Sequence, residues 1–194
     1  TLNLIPITEP YTGATGFTHT GSGGGETTLA SIVGSGAPAS NDAIVDWVFV
    51  QVHDGTTGTV LSSRAALLQR DGDVVDTDGT SSLNMAGNAA GNYYISIRHR
   101  NHLAVRSLNN IALAKTVTTS YNFTDNLAKA FVGAAPNNAM ATVNTNIFGM
   151  WAGNANNDNI VKMTGLGAGN NDYLQLLNTL GSSTNSIPNT YSKQ

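Results

Sequence analysis

Apolar and polar residues alternate over short runs through most of this chain. The strongest run is Ala43 to His53, where Trp47 and Phe49 fall on one side of an extended chain and Val48, Val50 and Val52 on the other. Apolar residues on both sides predict a central strand covered on both faces. Asp54-Gly55 begins a turn and Val60 to Gln69 returns, which predicts a hairpin with a loop of several residues. Asn92 to Arg100 predicts another strand, with Tyr93, Ile95 and Ile97 on one face. Leu103 to Val105, Ile111 to Leu113 and Val117 to Phe123 continue the β pattern, as do Glu26 to Val33, Ser81 to Met85 and part of Met140 to Trp151. Leu2 to Ile7 reads as an edge strand whose pairing Pro6 limits.

Helical signals are few. Asp125 to Val132 predicts a short helix capped by Thr124 or Asp125. Leu174, Leu177 and Leu180 recur at helical spacing, and Gly181 supplies a stop. The expected fold is therefore all-β. It is an antiparallel β-sandwich, Ig-like or jelly-roll-like, over residues 1–150, with a small loop-helix appendage over 151–194.

Composition narrows the partners. The 194 residues include 23 Asn, 23 Thr, 21 Gly and 15 Ser, while charged residues make up only 11%. Thr favours strands and Asn and Gly favour turns, in keeping with many short strands joined tightly. A net charge of −3 gives no electrostatic case for nucleic acid or an anionic membrane. No apolar run approaches the roughly 18 residues of a membrane span. The absence of cysteine excludes disulfides, thiolate zinc sites and cysteine nucleophiles. Sparse Lys with abundant Asn, Thr and Gly suits an extracellular or cell-surface protein.

Three clusters are candidates for chemistry. Arg98, His99, Arg100, Asn101 and His102 form the densest polar group. On a strand, Arg98 and Arg100 share one face and His99 takes the other. The group reads as a strand end whose His and Asn side chains pin a turn through the backbone, as a glycan or partner contact, or as a metal or catalytic site, for which His99 and His102 fit in spacing but lack a third partner. Asp71, Asp73, Asp76 and Asp78 offer oxygen ligands for a second calcium site, or cap two tight turns. Asn154, Asn156 and Asp158, with the Ile160 carbonyl, follow the first half of a calcium loop that Asn171 or Asp172 can close, or form a metal-free Asn-rich loop. That loop is weakened by Asn at its first position and by Asn159 where glycine is expected. Gly21-Ser-Gly-Gly-Gly25 reads as a flexible loop, because no Lys follows it to hold a phosphate. No Ser sits in a nucleophile-elbow context, and no catalytic constellation can be assembled. Trp47, Tyr93, Tyr94 and Trp151 read as core more than as a sugar platform.

Several segments taken in order resemble a family of Bacteroidetes secreted multidomain proteins. They are Glu9-Pro-Tyr-Thr12, Gly16-Phe-Thr-His19, Ile44 to Val50, Arg64 to Asp76, Arg98 to Leu103 and Trp151-Ala-Gly-Asn154. The resemblance implies export by the type IX secretion pathway, an adhesin-like surface role, and a degenerate dockerin-like calcium loop at the C-terminal end. It also implies further β-forming sequence before Leu2 and a second loop after Gln194, so both ends are expected to be internal to a longer polypeptide. A missing N-terminal strand would leave an open sheet edge for strand exchange. The expected function is a non-catalytic structural or adhesive surface module, a filament or surface-layer subunit partnered by its own copies or by other domains of its parent. The alternative is a carbohydrate-binding module of a secreted polysaccharide degrader.

Overall fold

The long strand predicted around Trp47 forms the middle of the molecule. In a computed structural model describing residues 5–21, 23–33, 40–133, 138–155, 160–162 and 172, β1 runs over Ile44–Asp54. It turns through Asp54, whose carboxylate accepts from the backbone N–H of Thr56 and Thr57, and returns as β2 at Val60–Gln69. The other edge of β1 pairs with β4, Gly91–His99. β3 at Val74–Val75 adds to β2, while β5 at His102–Arg106 and β6 at Ile111–Leu113 both add to β4. The resulting six-stranded sheet is antiparallel in every pair. A separate hairpin joins β7, Ala141–Asn144, to β8, Ile147–Gly149. The regular structure of the described residues is thus mostly β, and its sheets are antiparallel.

Residue alternation along β1 gives the sheet two apolar faces. On the first, Trp47 and Phe49 lie opposite Leu67 and Ala65 of β2, large against small. Coil from the N-terminal segment covers this face: Tyr11 and Phe17 lie 4.6 Å apart, ring to ring, and meet Phe49 at 5.5 and 5.4 Å in tilted and edge-on contacts. Tyr11 donates its hydroxyl to the Trp47 carbonyl at 2.6 Å, and the Trp47 indole N–H donates to the Pro6 carbonyl at 2.8 Å. On the second face Val48, Val50 and Ala66 are buried beneath Leu68, Val74, Leu83, Met85, Ile95 and Ile97. Further along it, Phe148 of the β7–β8 hairpin joins Val105, Ala130 and Met140 in a third apolar cluster.

Several predicted elements take other forms. Glu26 to Val33 is no strand: Thr27 makes one bridge to Thr8, and Ala30–Val33 is a single helical turn that buries Val33. Of Ser81 to Met85 only Ser82 bridges, to Val75, and of Val117 to Phe123 only Val117, to Ala114. The Asp125 to Val132 helix shrinks to a 3-10 turn at Leu127–Lys129. Its cap is Asn126, which accepts from the Ala128 N–H, so neither Thr124 nor Asp125 serves. These segments carry alternating or helical patterns too short to outbid the backbone partners that the large sheet offers. Leu2, and the helix expected at 171–180 apart from Asp172, lie outside the described residues.

Candidate functional site

The Arg98 to His102 cluster sits where β4 ends and turns into β5. The strand stops at His99, so Arg100 is not held on the face that Arg98 occupies. Arg98 lies over the Phe17 ring at 4.7 Å, on the first face. Arg100 instead swings to the Asp46 carboxylate at 2.8 and 2.9 Å, on the same side as His99. His99 Nε2 donates to Asp46 Oδ2 at 3.0 Å, and the Trp47 N–H donates to Asp46 Oδ1 at 2.8 Å. With its proton on Nε2, His99 accepts at Nδ1 from His102 Nδ1, 2.9 Å away. The expected pinning is present, but its anchor is a carboxylate across the sheet more than local backbone. The two imidazoles point at one another through Nδ1, which leaves no gap between them for an ion.

Sequence reasoning overlooked Asp46 because it stands alone among the apolar residues of β1, and its partners lie 53 and 54 positions away. Burial by itself raises its pKa. The hydrogen bonds from His99 and the Trp47 N–H and the charge of Arg100, joined by that of His99 once it is protonated, outweigh that and hold it below the ordinary carboxylate value. Burial, reinforced by the charge of His99 once that ring is protonated, lowers His102. At the other end of the sheet burial also lowers His53, whose ring contacts the Gly58 carbonyl at 3.1 Å and the Ser96 hydroxyl at 2.8 Å.

These shifts set a pH dependence with a definite sign. For His53 and His102 the unfolded chain takes up a proton near 6.5 while the folded chain resists until lower pH, so stability falls as pH drops below 6.5. Asp46 adds stability that is present above its unfolded value of 3.8 and lost as pH falls through its lowered folded value. Thermal unfolding across a pH series is therefore expected to show two successive declines in Tm. His102→Asn should shrink the first, and a flat Tm down to the carboxylate range would refute the assignment.

The acidic turns are consumed locally. Asp71 accepts from the Asp73 N–H at 3.2 Å. Asp76 forms a two-pronged pair with Arg64 at 2.8 and 2.6 Å, closing β2 onto the strand edge. Asp78 accepts from the N–H groups of Thr80 and Ser81 and from the Ser81 hydroxyl, which lowers it to about 2. The four carboxylates do not converge. Among the described residues the one group of three acidic or His side chains whose ligand atoms all lie within 4.8 Å of one another is Glu9, His19 and Glu26, from the covering segment.

At the C-terminal loop, Asn156 and Asp158 lie outside the described residues. Asn154 is fully buried, and both atoms of its side-chain amide lack a hydrogen-bond partner. Asp172 is buried and its Oδ2 accepts from the Lys162 N–H at 2.7 Å, while Ile160 is exposed. The preceding stretch is bound to the sheet: the Leu103 N–H donates to the Trp151 carbonyl at 2.7 Å and the Gly153 N–H to the Asn101 carbonyl at 3.0 Å. Of the four aromatics expected in the core, Trp47 and Tyr93 are buried and Tyr94 lies under the Arg106 guanidinium. Trp151 is 42% exposed.

An open cleft of about 1560 Å³ runs over the second face, with Asp46, His99, Asn101 and His102 among its lining residues and Tyr121 and Phe123 on its covering coil. No helix among the described residues is long and apolar enough to cross a membrane. Compared with protein-family models, with curated proteins and with solved structures, the chain matches none.

Proposed function

We propose that this chain is a non-catalytic structural or adhesive module of the cell surface, built to pack against copies of itself or against other domains of a larger exported protein. The observation that carries this reading is the β7–β8 hairpin. Phe148 points inward to the third cluster, so by strand alternation Val143 and Ile147 point outward. They are 63% and 48% exposed. A two-stranded hairpin apolar on both sides is marginal alone and gains from a partner. The hairpin and the coil beside it act as the second layer of a sandwich, with the six-stranded sheet as the first. The charge-poor, Asn- and Thr-rich composition supports an extracellular setting, and the ordered likeness to Bacteroidetes type IX cargo supports export.

The described edges of the large sheet favour face packing over exchange of a strand there. β5 is flanked by Ala130 and Ala152, and β3 by Ser82. Sedimentation across a concentration series tests the reading. The weight-average mass is expected to rise for the wild type and to stay monomeric for Val143→Asp/Ile147→Asp, with Tm preserved. A wild type that stays monomeric throughout would count against it.

The cleft favours a second reading, a carbohydrate-binding module that lays a glycan along Asn101, His102 and Tyr121. Specific glycan-array binding lost in His102→Ala would select it. Calcium fits either reading: the buried, unpartnered Asn154 amide oxygen and the buried Asp172 are the described residues that would hold it, and the ion would fasten the loop.

A further inference from the structure

The segment that covers the first face holds a group with no use in the site described above. Glu9, His19 and Glu26 are brought together so that one ligand atom from each lies within 4.8 Å of the others. The Glu9 side chain is wholly buried, that of Glu26 is 9% exposed and that of His19 15%. Both His19 ring nitrogens and Glu26 Oε2 are buried without a hydrogen-bond partner. Buried polar atoms are nearly always satisfied, so three orphans in one place call for a missing partner.

The spacing identifies it. His19 Nε2 and Glu9 Oε1 stand 3.6 Å apart, beyond hydrogen-bond range. Two ligands bound at about 2.0–2.1 Å to a tetrahedral ion stand about 3.3 Å apart, near the His19–Glu9 separation, and the Glu26 ligand atom lies within 4.8 Å of both. The surrounding groups orient the carboxylates as supporting shells do. Glu9 Oε2 accepts from the N–H groups of Tyr11 at 2.6 Å and Thr12 at 3.1 Å, while Oε1, the oxygen nearest His19 Nε2, accepts from the Gly25 N–H at 3.0 Å and from the Thr12 hydroxyl. Glu26 Oε1 accepts from the Gly24 N–H at 3.0 Å and faces Arg64 Nε at 3.9 Å, which leaves Oε2 as the oxygen without a partner. Gly24 has φ +121°, and a Cβ there would stand 3.2 Å from the His19 ring, so glycine lets the chain pass over the imidazole.

We propose that Glu9, His19 and Glu26 bind one divalent transition-metal cation of the zinc class, which staples the covering segment shut over the sheet. One imidazole with two carboxylates suits zinc, whereas calcium takes six to eight oxygens. Two carboxylates against one guanidinium leave the pocket negative, and a dication offsets that charge. Three protein ligands leave a fourth position for water.

The test uses the full chain, stripped with a chelator. Calorimetry is expected to show one equivalent of Zn²⁺ bound in a manner sensitive to this site, Co²⁺ to develop a tetrahedral visible band, and Tm to rise in excess Zn²⁺. Glu26→Gln keeps the side chain's size and removes its charge, and should weaken Zn²⁺ binding roughly tenfold or more. His19→Gln should abolish the Co²⁺ band. Asp172→Asn, at the separate C-terminal loop, should leave both signals intact. Failure of the folded wild type to take up Zn²⁺ stoichiometrically overturns the proposal, as does uptake undiminished in either folded variant. A Ca²⁺ signal that is lost in Glu26→Gln, with no Zn²⁺ signal in the wild type, overturns it equally. Should either variant fail to fold, the other variant and the wild-type Tm shift decide.

Discussion

Trp47→Ala is expected to remove about 3–5 kcal/mol of folding stability, the range for truncating a large buried aromatic. Trp47 is fully buried between Tyr11, Phe17, Phe49 and Leu67. Its loss opens a cavity directly under the covering segment and strands the Pro6 carbonyl that its indole N–H satisfies. The sheet cannot readily collapse into the gap, because β1 is paired with β2 at Trp47 and with β4 from Phe49 onward. The covering segment can move, so its grip is expected to weaken first. Trp47→Phe retains most of the volume and loses the N–H bond, and should cost only about 1–2 kcal/mol. Urea unfolding followed by circular dichroism measures both, since Trp151 would confuse a fluorescence signal. A cost under about 1 kcal/mol for Trp47→Ala would mean that the first face is not packed as described.

Asp46→Ala is expected to cost about 2–3 kcal/mol. That figure takes charge-assisted hydrogen bonds at about 1.5–3 kcal/mol and discounts the pair with Arg100, whose guanidinium is partly exposed. The substitution leaves His99 Nε2, the Arg100 guanidinium and the Trp47 N–H without their shared acceptor. His99 is buried and bears most of the loss. A double-mutant cycle with His99→Ala should show coupling, because both changes break the same bond. Arg100→Ala alone should cost less than either. Additive effects of Asp46→Ala and His99→Ala would show that the strand end is pinned by something else.

These two residues mark what could be read locally and what could not. Trp47 was legible as core because its neighbours alternate, and alternation decides which face a side chain takes before any partner is known. The same rule placed Val48, Val50 and Val52 together and made β1 central. It failed for Glu26 to Val33, where a short apolar run fitted a strand equally well as pattern. The observed bridge at Thr27 and the helical turn after it depend on Thr8 and on room above the sheet. It misjudged Arg100, because face alternation ends where the strand ends, and that end is set by the turn into β5.

The candidate sites divide in the same way. The Arg98 to His102 cluster was visible because its residues are contiguous. Asp46 was not, since a carboxylate flanked by apolar residues gains meaning only from residues 53 and 54 positions later. Glu9, His19 and Glu26 were passed over for a related reason. Their spacing of ten and seven residues matches no regular element, and the glycines between His19 and Glu26 read as looseness. In the folded chain those glycines permit the tight path that brings the three together.

By itself the sequence determined that this protein is β-rich, antiparallel in its strongest hairpin, poor in charge, without cysteine chemistry, and centred on the strand containing Trp47. Those properties follow from side-chain period, turn residues and composition, which act over a few residues. Only the tertiary structure decided that coil covers the first face, that Asp46 takes up the most conspicuous polar cluster, that the Asp-rich turns stay separate, and that two carboxylates meet an imidazole beneath a glycine loop. Those outcomes rest on register and on contacts between residues far apart in the chain, where hydrogen-bond satisfaction and burial act on neighbours that local pattern cannot name.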